Sequence, residues 1–264
     1  MPRFALKRRE TLVKFVRRAA LGHLDAAGAA LRAGAEGGKR SAARVGRARR
    51  ELLRLRALLR LVRGPLGSAA FSREHAAVQR LVRRIAPYAE AAGVAPGQAR
   101  KPASGPALLR ALADLAEIRV RAKHWHVPAA GFDALAPALR SAWRQATRPV
   151  TGPRAVEPAV LADAALTLHD QLRCVERAWP EAIDAPRQLA KDLAAAAGRW
   201  AALGAQAEAL AGGDRAGPPK QLAEDLAQTR ADVDALTARL RAETPAAFTR
   251  RLSAYWELWR GSAG

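Results

Sequence analysis

Between Arg47 and Arg63 the chain reads RARRELLRLRALLRLVR, with seven arginines and a single acid, Glu51. A guanidinium keeps its charge at any physiological pH, and its fork of donors meets two phosphate oxygens at once. Apolar residues recur through the same stretch at helical spacing. At about 100° per residue, Ala48, Leu52, Leu55, Leu59 and Val62 share one face, which is the expected core stripe. Arginines flank that stripe in two rows, Arg40, Arg44, Arg47 and Arg54 on one side and Arg49, Arg56, Arg60 and Arg63 on the other. Cations one or two turns apart match a chain of phosphates. A merely solvated helix face interleaves Glu with Arg for i,i+4 pairs, and this stretch does not. Neighbouring segments add Lys7, Arg8, Arg9, Lys14, Arg17 and Arg18, then Arg80, Arg83 and Arg84.

Other residue types that carry chemistry are less well arranged. His124 and His126 flank Trp125, but no cysteine or carboxylate sits at ligand spacing, so no metal is expected there. His23 and His75 are lone histidines on helices. The tryptophans are scattered and read as packing residues, not as stacking platforms among the cations. Cys174 lacks a His/Asp partner. No glycine-rich phosphate cradle and no carboxylate cluster for Mg²⁺-assisted phosphoryl transfer is present. Neither an enzyme nor a cofactor is expected.

The elements that must hold these side chains are helices. Ala, Leu and Arg dominate the 264 residues, with only three Ile and two Tyr. Helices are expected at about 7–33, 41–63, 70–93, 105–124, 133–148, 158–178, 185–211, 219–242 and 245–261. Ser41 and Ser104 are expected as N-caps, and Thr244-Pro245 as a cap followed by proline at the first helical position. Gly64-Pro65 should stop the second helix, and Pro87 should kink the third or end it early. Gly212-Gly213 and Pro218-Pro219 should separate two late helices.

Charge divides the chain. Residues 1–126 hold 28 Lys/Arg against 8 Asp/Glu, a net of +20, whereas residues 127–264 hold 17 against 16, a net of +1. The expected division is therefore 1–126, a basic helical half, and 127–264, a nearly neutral one. A half at +20 repels itself and calls for a polyanion: nucleic acid, an anionic membrane surface or a phosphate polymer. No apolar run approaches a membrane span, and one cysteine points to a reducing compartment, hence the cytoplasm. The resemblance of VRRAA (16–20) to LRSAW (139–143), and of LRLVRG (59–64) to LRCVER (172–177), points to an internal repeat.

Six segments, in order along the chain, resemble the conserved-histidine α-helical domain (CHAD) family. They are FALKRRETLVKFVRRAALGHLDAA, RRELLRLRALLRLVRGPLG, FSREHAAVQRLVRRIAP, GFDALAPALRSAWRQATR, RCVERAWPEAI and ETPAAFTRRLSAYWELWR. The resemblance implies two pseudo-symmetric antiparallel helical bundles, duplicated units of four to five helices, flanking a basic groove. It also implies non-catalytic binding of inorganic polyphosphate. The family's basic motif places a histidine where Gly46 stands and a lysine where Leu53 stands. Its Arg-Lys pair corresponds to Arg49-Arg50, its following Arg-Leu-Arg to Arg54-Leu55-Arg56, and its groove-facing stripe to Gly46, Arg49, Leu53, Arg56 and Arg60. In the second half the stripe reads Ala159, Ala162, Leu166, His169 and Arg173, with Asp163 where a cation is expected.

The expectation is a one-sided basic wall. Lys14, Arg17, Arg18, Arg49, Arg50, Arg54, Arg56, Arg60, Arg63, Arg80 and Arg84 would come from the first half. Arg140, Arg144 and Arg173 would assist from the second, with His169 donating to phosphate when protonated. Association with polyphosphate granules would follow. The alternatives are a nucleic-acid binder, or a scaffold that holds an acidic protein partner or a membrane surface.

Overall fold

The computed structural model describes residues 4–38, 40–90, 105–128, 131–153, 155–211 and 219–261. Among these the regular elements are all helical, and no strand occurs. The chain divides into two compact units, Met1–Leu135 and Ala136–Gly264.

The first unit holds α1 (Leu12–Ala35), α2 (Ser41–Leu61), the single turn α3 (Arg63–Leu66), α4 (Ser68–Glu90) and α5 (Gly105–Ala122). Helix α2 packs on α1 and α4, and α5 packs on α1 and α4 as well, so the four long helices close into a ring. The periodic stripe makes its core. Ala48, Leu52, Leu55, Leu59 and Val62 are fully buried, against Phe15, Leu24 and Leu31 of α1 and Leu81 and Ile85 of α4. Full burial of a Leu or Phe side chain contributes about 1.5–3 kcal/mol, so this stripe fixes which way the arginines of α2 face.

The second unit holds α6 (Ala136–Ala146), α7 (Pro158–Val175), α8 (Pro180–Ala211), α9 (Lys220–Arg241) and α10 (Pro245–Gly261). Packing here follows an open order, α10 on α6, α6 on α7, α7 on α8 and α8 on α9. Helices α8 and α9 pack together, and each carries apolar residues at alternating three- and four-residue spacings, Leu193, Ala196, Trp200, Leu203 and Ala207 on α8 and Leu222, Leu226, Val233, Leu236 and Leu240 with Thr229 on α9. Trp143 of α6 packs on the ring of Phe248 of α10 at 4.3 Å, and Trp179 stacks on Tyr255 at 3.9 Å. The guanidinium of Arg260 lies over the rings of both Trp256 and Trp259.

Several boundaries differ from the sequence expectation. Helix α1 starts at Leu12, five residues late, because Thr11 caps it by accepting the backbone N–H of Lys14 at 3.4 Å. The residues before it form an irregular segment whose Ala5 and Leu6 are buried. Ser41 is the first residue of α2 and not its cap; its hydroxyl donates to the Gly34 carbonyl at 2.6 Å. Between α1 and α2, Gly37 and Gly38 take φ of 81° and 86°, a conformation that bars a β-carbon and breaks the helix. Pro87 does not end α4, which runs on to Glu90. Helix α8 begins at Pro180, before the expected 185, and contains Pro186. Thr244 and Pro245 behave as read, the Thr244 hydroxyl accepting from Ala247 N–H at 3.2 Å. The Ser104 cap and the Gly212-Gly213 and Pro218 breaks lie outside the described residues.

Candidate anion-binding site on the arginine helix

The one acid of α2 does not neutralise the surface around it. Glu51 sits on the flank that meets α1, where the buried His23 donates from Nδ1 to its carboxylate at 2.8 Å. Arg54 takes the other oxygen at 2.5 Å. Burial alone would raise the Glu51 pKa. The hydrogen bond from His23 and the Arg54 charge outweigh that, and the carboxyl sits below its ordinary range. The carboxylate is thus ionised and fully engaged with two partners.

Other arginines of the expected wall are drawn into the same kind of structural work. Arg18 forks onto both carboxylate oxygens of Glu10, each at 2.7 Å, and also donates to the Ala5 carbonyl. That pair holds the Arg18 guanidinium above its usual pKa through the Glu10 hydrogen bond. Arg17 donates from Nε to the Trp125 carbonyl at 2.9 Å and so ties α1 to the segment after α5. Arg44 closes the α1–α2 turn on the Ala33 carbonyl at 2.7 Å. Arg84 is ion-paired with Asp114 of α5. Arg63 lies over the Phe71 ring at 5.2 Å. Glu74 of α4, with no exposed side-chain surface, accepts from Arg121 at 3.0 Å and from Arg73 at 2.8 Å.

What remains on α2 is a set of arginines without protein counter-ions, with Arg47 and Arg49 on opposite flanks of the buried stripe and Arg50 on the exposed side between them. Arg47, Arg49 and Arg50 have no hydrogen-bonding or ion-pairing partner among the described residues. The Arg49 Nε is cut off from solvent and donates to nothing. An orphaned charged donor costs on the order of 1–3 kcal/mol, more than a neutral one, and marks a place where an acceptor would be favoured. Arg49, Arg56 and Arg60 are half-buried, as are Gly46 and Leu53. No heavy atom lies within 4 Å of where a β-carbon would stand at Gly46. Lys14 and Arg80 are exposed and likewise lack side-chain partners among the described residues.

The second-unit residues stand apart from the α2 arginines in chain and in chemistry. Arg140 and Arg144 are exposed on α6. Arg173 lies 3.8 Å from Asp170 one turn away. His169 is 8 % exposed and donates from Nδ1 to the Arg187 carbonyl at 3.1 Å. Burial pushes its pKa down, and the charges of Arg173, Arg187 and Lys191 push the same way against that one hydrogen bond. The protonated form of His169, the one that would donate to phosphate, is therefore disfavoured in the fold. Cys174 is buried beside Asp170, and burial pushes its thiol up to about 12.

His124 and His126 are both exposed on either side of the buried Trp125, and among the described residues no three His, Cys, Asp or Glu side chains group as a metal site. No described helix is long and apolar enough to cross a membrane. The sequence reading overlooked Glu10, Glu51 and Glu74 as the groups that decide which arginines stay available. The pairs Glu51–Arg54 and Glu74–Arg73 lie within one helix, but the contacts of Arg18 with Glu10, His23 with Glu51 and Arg121 with Glu74 join separate segments, and spacing within one helix does not carry those. Compared with known proteins, the chain matches no family model, no curated protein and no solved structure.

Proposed function

We propose that the chain is a non-catalytic binder of a flexible polyanion, with inorganic polyphosphate as the fitting ligand. The observation that carries this reading is that Arg47, Arg49 and Arg50, spread around the exposed half of α2, are left without counter-ions while Glu51 is committed to His23 and Arg54. Bidentate guanidinium contacts recognise phosphate charge and spacing, and displaced counterions drive the association. The resemblance to the conserved-histidine α-helical domain family points to the same ligand, to an ancestral duplication and to a basic groove. On that reading Arg56 and Arg60 extend the α2 contact, and Lys14 and Arg80 supply long-range attraction. Arg140, Arg144 and Arg173 are secondary. Cytoplasmic localisation on polyphosphate granules belongs to the same proposal. A non-catalytic role is supported by the acids of the first unit: Glu10, Asp25, Glu51, Glu74 and Asp114 each hold an arginine or a histidine, which leaves them poorly placed to bind a catalytic metal.

The test is a salt-dependent titration with long-chain polyphosphate. Replacing Arg47, Arg49 and Arg50 together by glutamate is expected to abolish binding at about 0.15 M salt and to cut the slope of log K on log salt by roughly three. Replacing Arg230, Arg239 and Arg250, exposed in the second unit, is expected to leave both unchanged. Equal loss from both triples would refute the site. Duplex DNA displacing polyphosphate in competition would move the reading to nucleic acid.

A further inference from the structure

Helix α5 is apolar on two opposite faces. Leu108, Ala111, Leu115, Ile118 and Ala122 are buried against α1 and α4. On the reverse face Leu109 and Val120 are 61 % and 59 % exposed, and Ala113 and Ala116 are exposed between them. The spacing 109, 113, 116, 120 follows one continuous line along the helix, and nothing in the packing of the first unit requires that line to be apolar. We infer that this face is a homodimer interface, in which α5 pairs antiparallel with α5 of a second copy about a two-fold axis.

The pattern is self-complementary. In an antiparallel pair centred between Ala113 and Ala116, Leu109 of one copy lies opposite Val120 of the other, and Ala113 lies opposite Ala116. Large residues close the ends, and the small ones let the two backbones approach at the centre. This is what an isologous contact needs, since each patch must fit itself.

Charge follows the same symmetry. Arg110 and Glu117 are seven residues apart and so share one flank of the stripe, the position that faces its own kind across an antiparallel pair. Arg110 then meets Glu117 of the other copy, twice over. Arg110 has no partner among the described residues, and Glu117 is 75 % exposed with only Arg121 nearby, at 3.9 Å. Of the other charges on α5 beside the stripe, Arg119 is engaged with Asp25 at 2.6 Å and Asp114 with Arg84, while Lys123, just past the helix end, is exposed.

One helix against one helix covers less than a standard interface, so the dimer is weak, in about the micromolar range or above. Each copy carries a net charge of +21, and that repulsion is screened by salt, so dimerisation strengthens as salt rises. Polyanion binding would weaken over the same range, so this inference stands or falls independently of the proposed function.

Sedimentation of the purified chain over a concentration series tests it, with helical content checked for each variant. Leu109→Glu with Val120→Glu is expected to give monomer at every concentration. Arg110→Glu alone is expected to weaken the dimer about tenfold, and so is Glu117→Arg alone; the two together should restore it by exchanging the charges. A wild-type chain that stays monomeric throughout overturns the inference, as does a double exchange no better than either single change. A monomer that binds vesicles of phosphatidylserine in phosphatidylcholine through Leu109 and Val120 would also overturn it, making the stripe a membrane seat.

Discussion

Helices α2 and α9 are nearly equal in length, 21 and 22 residues, and each buries one face, yet they treat charge in opposite ways. Helix α9 carries four cations and four acids, interleaved along its exposed surface. Helix α2 carries seven arginines and one acid, and that acid is turned to α1. The contrast repeats at the level of the units, +20 over residues 1–126 and +1 over 127–264. A helix that only needs solubility resembles α9. Keeping α2 as it is costs electrostatic free energy unless a polyanion offsets it.

The largest effect expected from breaking this contrast is on binding. Arg47, Arg49 and Arg50 reversed together should weaken polyphosphate about a thousandfold, roughly tenfold for each lost charge-assisted contact. The same reversal at Arg230 and Arg239 of α9 with Arg250 of α10 should change nothing measurable in the titration.

The next effect is on stability and belongs to the first unit alone. Glu74→Ala leaves Arg121 and Arg73 facing an empty, uncharged position, and denaturant unfolding should register a loss of about 3 kcal/mol. Removing an acid from the exposed face of α9, as in Asp234→Ala, should stay within about 0.5 kcal/mol.

Acid should separate the units further. His169 has a folded pKa below its unfolded one, so the unfolded second unit takes up the proton first. Its stability is complete above about pH 6.5 and falls as pH drops through that region. Glu10 and Glu51 are also lowered, which delays the matching loss in the first unit until below about pH 4.3. Hydrogen exchange resolved along the chain should show α7 and α8 loosening before α1 and α2. His169→Gln should remove the early loss.

The smallest expected effect is a gain. Gly46→Ala places a methyl group where no atom stands within 4 Å and removes a glycine from a helix interior, so thermal unfolding should report about 0.5–1 kcal/mol of added stability. Gly46→His likewise finds open space at its β-carbon. Tighter polyphosphate binding by that variant would sharpen the assignment of the α2 stripe.

The legible part of the fold was what repeats within one helix. Leu52, Leu55 and Leu59 announce the buried face of α2 by spacing alone, and Thr244-Pro245 announces the start of α10. The illegible part was settled between helices. Nothing in the sequence around Glu10 shows that its carboxylate waits for Arg18, and helical spacing alone carries α1 past the Thr11 cap where it starts. The row of Arg44, Arg47 and Arg54 looks uniform as a string. In the fold Arg44 secures a turn, Arg54 joins Glu51, and Arg47 remains open. The acid on α2 could be counted, but its orientation depends on His23, which lies 28 residues earlier.

The sole cysteine carries a practical consequence. Cys174 is sealed inside the second unit with a thiol pushed up to about 12, so at neutral pH it offers almost no thiolate to a reagent. A new cysteine engineered at any exposed site would react alone. Fluorophores or spin labels placed along α2 would then report on that helix against a silent background, with the native sulfur left in place.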